Sequence, residues 1–283
     1  MDAKTLMDCY KNVVQKEENI DADLGLITNP NAKKGGILLV GMNPSGSGQG
    51  KDIYCYLKCP GRFWNPKHNM MGDYDAKCGY IDLLPIRGDD QDTIIKRIKA
   101  DEDFRRYCGK LLAFTRDYIE LLRPRLIIIA NKGAWFFWGF SKWKWMGYTF
   151  KDIDIAPESR RELDRGRWPF VQICGIEPTD VNRHSTTTNL DGTYIVGYRQ
   201  EGGRSGSIPK EQKLNIKKIV EFIDSKLDFE WEKTLYDSSK PQCPTELCPN
   251  KVGCCFCQCN FSPNCQTKNV CLNFAPNVLS CSN

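Results

Sequence analysis

Long apolar runs are missing from this chain. No stretch approaches the ~18 consecutive apolar residues that cross a bilayer, so there is no candidate for a membrane-spanning helix. No leader is expected either. Met1 to Glu18 is polar and amphipathic and has no apolar signal core, which places the chain, as an expectation, inside the cell, cytoplasmic or nuclear. Histidine is scarce: only His68 and His184 occur, so any imidazole chemistry falls on one of two residues. Charge of one sign is weak as well. The formal net charge of +5 permits a nucleic-acid partner without demanding one. Arg160, Arg161, Arg165 and Arg167 lie among Glu158, Glu162 and Asp164 and read as a solvated face. Internal repeats are absent.

What is there suits a folded domain. The hydrophobic fraction of 41% and charged fraction of 27% are those of a soluble globular protein. A length of 283 residues allows one full core and an appendage. Cysteine marks the division. Nine of the 15 cysteines lie between Cys243 and Cys281, and the other six are scattered like ordinary intracellular thiols. The expected domains are therefore 1–235 and a Cys-rich tail, 236–283.

Within the first unit, residues 3–17 read as a helix, with Leu6, Tyr10, Val13 and Val14 on one face. Strands are expected at 37–41, 79–85, 126–130, 170–174 and 194–198, and helices at about 103–122 and 209–227. A short aromatic helix is expected around Trp135 to Trp138. Residues 42–78 read as a long irregular loop, which in a compact domain is more often functional than not. Strands alternating with helices imply an α/β protein with a mainly parallel sheet covered on both faces.

The pattern richest in chemistry is Ile37-Leu38-Leu39-Val40-Gly41-Met42-Asn43-Pro44. A buried strand runs into a sharp turn that holds up one amide side chain. Ligands of open α/β sheets bind at strand carboxyl ends, so Asn43 is a candidate for chemistry; an ordinary Asn-Pro turn is the alternative. The Gly-rich run Ser45 to Asp52 fits a phosphate loop poorly. Ser45 stands where the first glycine belongs, and Asp52 where the magnesium-binding hydroxyl belongs.

Further pieces follow in order: Gly61-Arg62-Phe63-Trp64, then Gly79-Tyr80-Ile81-Asp82-Leu83-Leu84, then Phe104-Arg105-Arg106, then Leu122 to Lys132. This series, with Gly41-Met42-Asn43-Pro44, resembles the uracil-DNA glycosylase superfamily over about residues 35–227, and most of all its mismatch-specific uracil- and thymine-DNA branch. The resemblance implies a three-layer α/β fold with a short central, mainly parallel sheet. It also implies a monomeric base-excision repair enzyme. Such an enzyme hydrolyses the N-glycosidic bond of uracil or a mismatched or damaged pyrimidine in DNA, with no cofactor for the chemistry.

By that similarity, Asn43 positions the attacking water, and Gly41, Met42 and Pro44 line the base pocket. Tyr54, Phe63 and Trp64 are candidates to stack on the flipped base, although Trp64 reads more readily as an anchor of the loop in the core. His184, followed by Ser185, is similar to the superfamily's His-Pro-Ser without its proline. It would donate a hydrogen bond to the departing base. Some branches carry an iron–sulfur cluster, but Leu84-Pro85-Ile86-Arg87 has no cysteine where theirs lies, so none is expected in the core.

Two rival readings remain: a non-catalytic module of the same fold that binds nucleic acid or a base, and a nucleotide-phosphate hydrolase. In the tail, Cys243, Cys248, Cys254 and Cys257 are candidate zinc ligands. Metal would supply folding energy to an apolar-poor segment, while a disulfide knot and an unstructured tail are the alternatives.

Overall fold

The structure, a computed structural model, describes residues 1–16, 23–29, 31–44, 52–59, 61, 64–88, 90–140, 145–164, 169–179, 187–198 and 214–226. Among these, eight strands form one sheet: β1 (Leu26–Thr28), β2 (Ile37–Gly41), β3 (Ile53–Cys55), β4 (Gly79–Asp82), β5 (Leu126–Ile129), β6 (Tyr148–Asp152), β7 (Phe170–Ile176) and β8 (Tyr194–Gly197). Their order across the sheet is β3-β1-β4-β2-β5-β8-β7-β6. The pairs β1–β3, β2–β4, β2–β5 and β5–β8 are parallel, and the other three are antiparallel. The α/β architecture with a mostly parallel sheet therefore stands as expected.

Seven α-helices are described: α1 (Ala3–Lys16), α2 (Asn65–Met71), α3 (Gln91–Ala100), α4 (Glu102–Leu122), α5 (Lys132–Trp138), α6 (Pro157–Asp164) and α7 (Ile216–Lys226). They pack on both faces, and the strand alternation of period two sorts the core accordingly. Leu38, Val40, Ile81, Ile127, Ile129 and Ile195 pack with residues of α1, α3, α4 and α5. Leu39, Tyr80, Leu126, Ile128 and Val196 pack with Met71 of α2, Leu163 of α6 and the apolar stripe of α7. Strands buried on both sides explain the unbroken apolar runs of β2 and β5.

Local chemistry sets the helix ends. The Asp101 carboxylate accepts from the Phe104 amide at 2.9 Å and caps α4, with Glu102 and Asp103 in the first turn where the helix dipole favours them. Arg123 ends α4 in the left-handed region (φ 43°), and Pro124 cannot continue the helix.

The sheet is wider than the expected five strands. β1 and β3 span only three residues each, too few to show a period, and β6 is a half-exposed edge strand. The segment read as one irregular loop, 42–78, contains β3, α2 and two short 3-10 turns. Pro66 in the first turn of α2 and Gly72 at its C-cap (φ 51°) were the available signals. The unread α3 has only Ile94 and Ile98 buried, a narrow stripe on a polar helix. Of the helix expected over about 209–227, residues 209–213 and 227 lie outside the described residues, and α7 covers Ile216–Lys226.

Candidate functional site

The chain goes from β2 to β4 on one side of β2, then crosses to β5 on the other. Such a reversal opens a crevice at the strand carboxyl ends. Gly41 closes β2 there, Asp82 closes β4, and the two are register partners. The pairing continues past the strands: Leu83 N donates to Gly41 O, Leu84 N to Met42 O and Gly88 N to Pro44 O, at 3.1, 2.8 and 3.0 Å. Residues 41–44 and 83–88 thus form a braced rim.

Asn43 is buried in that rim. Its Nδ2 donates to the carbonyl oxygens of Pro44 (3.0 Å), Ile86 (3.3 Å) and Gly88 (3.0 Å). A carbonyl can only accept, so these contacts fix which end of the amide is nitrogen. The opposite end, Oδ1, is buried and has no hydrogen-bond partner among the described residues. A buried acceptor left open costs about 1–3 kcal/mol, which the braced rim sustains. Chemically, Oδ1 can accept a hydrogen from a water or hydroxyl and so orient its oxygen.

Asp82 was not singled out by sequence reasoning. Its side chain is buried, and Oδ1 accepts from Tyr80 Oη at 2.9 Å while Oδ2 is buried without a hydrogen-bond partner among the described residues. The carboxyl closes over β2. A Cβ at Gly41 would stand 2.1 Å from Asp82 Oδ1 and 2.4 Å from Tyr80 Oη, so any side chain there would force the carboxyl and the hydroxyl to move. Lys67, on α2, is equally buried, its Nζ 4.7 Å from the Trp64 ring centroid. Burial pushes the Asp82 carboxyl up to about 7, against the downward pull of the Tyr80 hydrogen bond and the Lys67 charge. Burial likewise pushes the Lys67 ammonium down to about 7, with Asp82 and then Cys59 opposing. The one sequence cue was an acid inside an apolar strand run, Tyr80-Ile81-Asp82-Leu83-Leu84.

An aromatic wall supports this pair. Tyr56 stacks on Tyr80 (centroids 4.8 Å apart, 6° between planes), and Trp64 meets both rings edge-on. Tyr56 Oη donates to Asp75 Oδ1 (2.7 Å), and His68 Nδ1 lies 2.8 Å from Asp75 Oδ2. His68 is thus a member of the wall.

The expected site residues are only partly brought together. Gly41, Asn43 and Pro44 share the rim. The Met42 side chain points into the core, and a Cβ at Gly133 would lie 2.7 Å from its Sδ, so its share in a pocket is through its backbone. Tyr54 sits on the outermost strand, β3, three strands from β2 and so roughly 14 Å away at ordinary strand spacing. Arg87 covers its ring at 5.2 Å. Trp64 packs against Tyr56 and Tyr80, as the anchor reading has it. Phe63, His184, Ser185, the Gly-rich run 45–51 and the tail cysteines Cys243, Cys248, Cys254 and Cys257 lie outside the described residues. Among the described residues, no group of three or more His, Cys, Asp or Glu is placed to hold a metal ion, and no helix is long and apolar enough to cross a membrane.

Compared with models of known protein families and with curated protein sequences, the chain matches none.

Proposed function

We propose that this protein is a DNA glycosylase that hydrolyses the N-glycosidic bond of uracil or a mismatched or damaged pyrimidine. The observation that carries the reading is Asn43: an amide whose nitrogen is tied to three carbonyls, leaving a buried, open acceptor at the carboxyl end of β2. Glycosidic cleavage passes through an oxocarbenium-like sugar and needs a water held in line more than a strong base. An amide is no base at neutral pH, but it can hold such a water. The order of motifs around Asn43, with Gly41 before it and Pro44 after it, agrees with the superfamily resemblance. DNA is then the partner, with the base turned out of the stack into the crevice.

The test is base release from oligonucleotides carrying single-stranded uracil, U:G or T:G, scored as abasic sites. Asn43→Ala is expected to lower release by about 100-fold or more while DNA affinity stays within about twofold. Release undiminished in Asn43→Ala removes the assignment of Asn43. Salt-dependent DNA binding with no release by the wild type favours the non-catalytic binding module.

A further inference from the structure

Among the described residues, two buried acceptors lie open on one rim: Asn43 Oδ1, which the proposed function uses, and Asp82 Oδ2, which it does not. Buried acceptors are nearly always satisfied, so each open one calls for an explanation. Asp82 Oδ2 belongs to a carboxyl that overlies Gly41, a residue of the rim that the proposed function uses, and whose other oxygen is already held by Tyr80 at 2.9 Å. Tyr80 is fixed in turn by the Tyr56 stack. The free oxygen is therefore oriented as well as open, and a buried amine, Lys67, sits on the Trp64 ring that packs edge-on against Tyr80, the partner of Asp82.

Building on the glycosylase reading, we propose that Asp82 is its general acid: Oδ2 carries a proton and delivers it to the departing base, and Lys67 sets how readily that proton is held. In this step the C1′–N bond breaks and its electron pair goes to the base. The Asp82 proton goes to the base, and the water held by Asn43 bonds to C1′. The proton that water sheds returns to the Asp82 carboxylate, so the enzyme ends as it began and the products are the free base and a C1′ hydroxyl. Burial supports the role, because it keeps a carboxylic acid protonated near neutral pH, where a general acid works best. Among the described residues, the titratable groups that act on Asp82 are Tyr80 on β4 itself, Lys67 on α2, Cys59 after the first 3-10 turn and Tyr10 on α1.

A general acid matters most for a poor leaving group. The test compares uracil with 5-fluorouracil, whose anion leaves more easily, in oligonucleotides of one sequence. Asp82→Asn preserves shape and removes the transferable proton. It is expected to lower uracil release by about 10²–10⁴-fold and 5-fluorouracil release by no more than about tenfold. In the wild type, uracil release should fall as pH rises through about 7, and 5-fluorouracil release should stay nearly level. Lys67→Met removes a charge that pulls the Asp82 carboxyl down, so it should move that fall up by about one pH unit. Equal losses on both bases in Asp82→Asn, or a wild-type uracil profile level across neutrality, overturn the proposal while leaving the glycosylase reading intact. Failure of the wild type to release either base overturns that reading and this one with it. Should Asp82→Asn not fold, the wild-type pH profiles of the two bases decide alone.

Discussion

At Gly41 the missing side chain is what lets the Asp82 carboxyl and the Tyr80 hydroxyl meet over the end of β2. A methyl group there would stand 2.1 Å and 2.4 Å from them, closer than any real contact. Gly41→Ala is therefore expected to cost about 1–3 kcal/mol through overpacking. The strain has a named source, so it can be isolated. In an Asp82→Ala background the new methyl enters space the carboxyl has left, and its cost should fall by about 1 kcal/mol or more. Urea unfolding of the four proteins in this cycle measures the coupling. Equal costs in both backgrounds would show that the methyl is resisted by something other than Asp82. The glycine was visible in the sequence as the first residue of a turn motif. Its reason was not, because that reason comes from a strand forty residues further on.

Among elements, α4 is tied to the antiparallel side of the sheet through one carboxylate. Glu120, buried on α4, accepts from Tyr148 Oη at the start of β6 (2.8 Å), from Thr188 Oγ1 (2.6 Å) and from the Asn189 amide (2.6 Å). The last two lie in the turn that leads into β8. Removing the acceptor strands three donors at once, so Glu120→Ala is expected to cost about 3 kcal/mol or more, whereas Tyr148→Phe, which removes one donor and leaves the rest paired, should cost about 1 kcal/mol. Amide exchange in 187–193 should rise in Glu120→Ala alone. A Glu120→Ala cost no larger than that of Tyr148→Phe would mean that the turn holds without α4. The helix itself was legible in the sequence: the apolar spacing from Phe104 to Leu121 predicts a helix to within one residue of the observed start. Glu120 was not legible, since its burial depends on partners 28, 68 and 69 residues away. The same limit hid β1, β3 and β6. Strands this short or this exposed exist because of the neighbours they pair with, and a single sequence does not display pairing.

On the scale of the whole molecule, alternating strand and helix patterns were enough to anticipate a mainly parallel sheet with helices on both faces, because burial on two sides forces the apolar runs of β2 and β5. Of the candidate site, the turn holding Asn43 was legible for the same reason, while the Asp82–Lys67 pair arises only when α2 folds back onto the sheet. That pair also makes overall stability depend on pH in opposing ways. Asp82 and Glu120 have carboxyls pushed up by burial, so folding prefers them protonated. Their contribution is fullest at low pH and is lost as pH rises through the folded values, for Asp82 about 7. Lys67 is pushed down, so folding prefers it neutral, and its contribution is lost as pH falls from the ordinary lysine range through about 7. An asparagine at 82 cannot ionise. The melting temperature of Asp82→Asn relative to wild type should therefore climb as pH rises from 5 toward 7 and level off above about 7, once the folded carboxyl has ionised as well. Thermal melts of the two proteins across that range measure the difference. A difference independent of pH would mean that the Asp82 carboxyl titrates in the ordinary acid range, which would also deprive it of the proton that the leaving base is proposed to take.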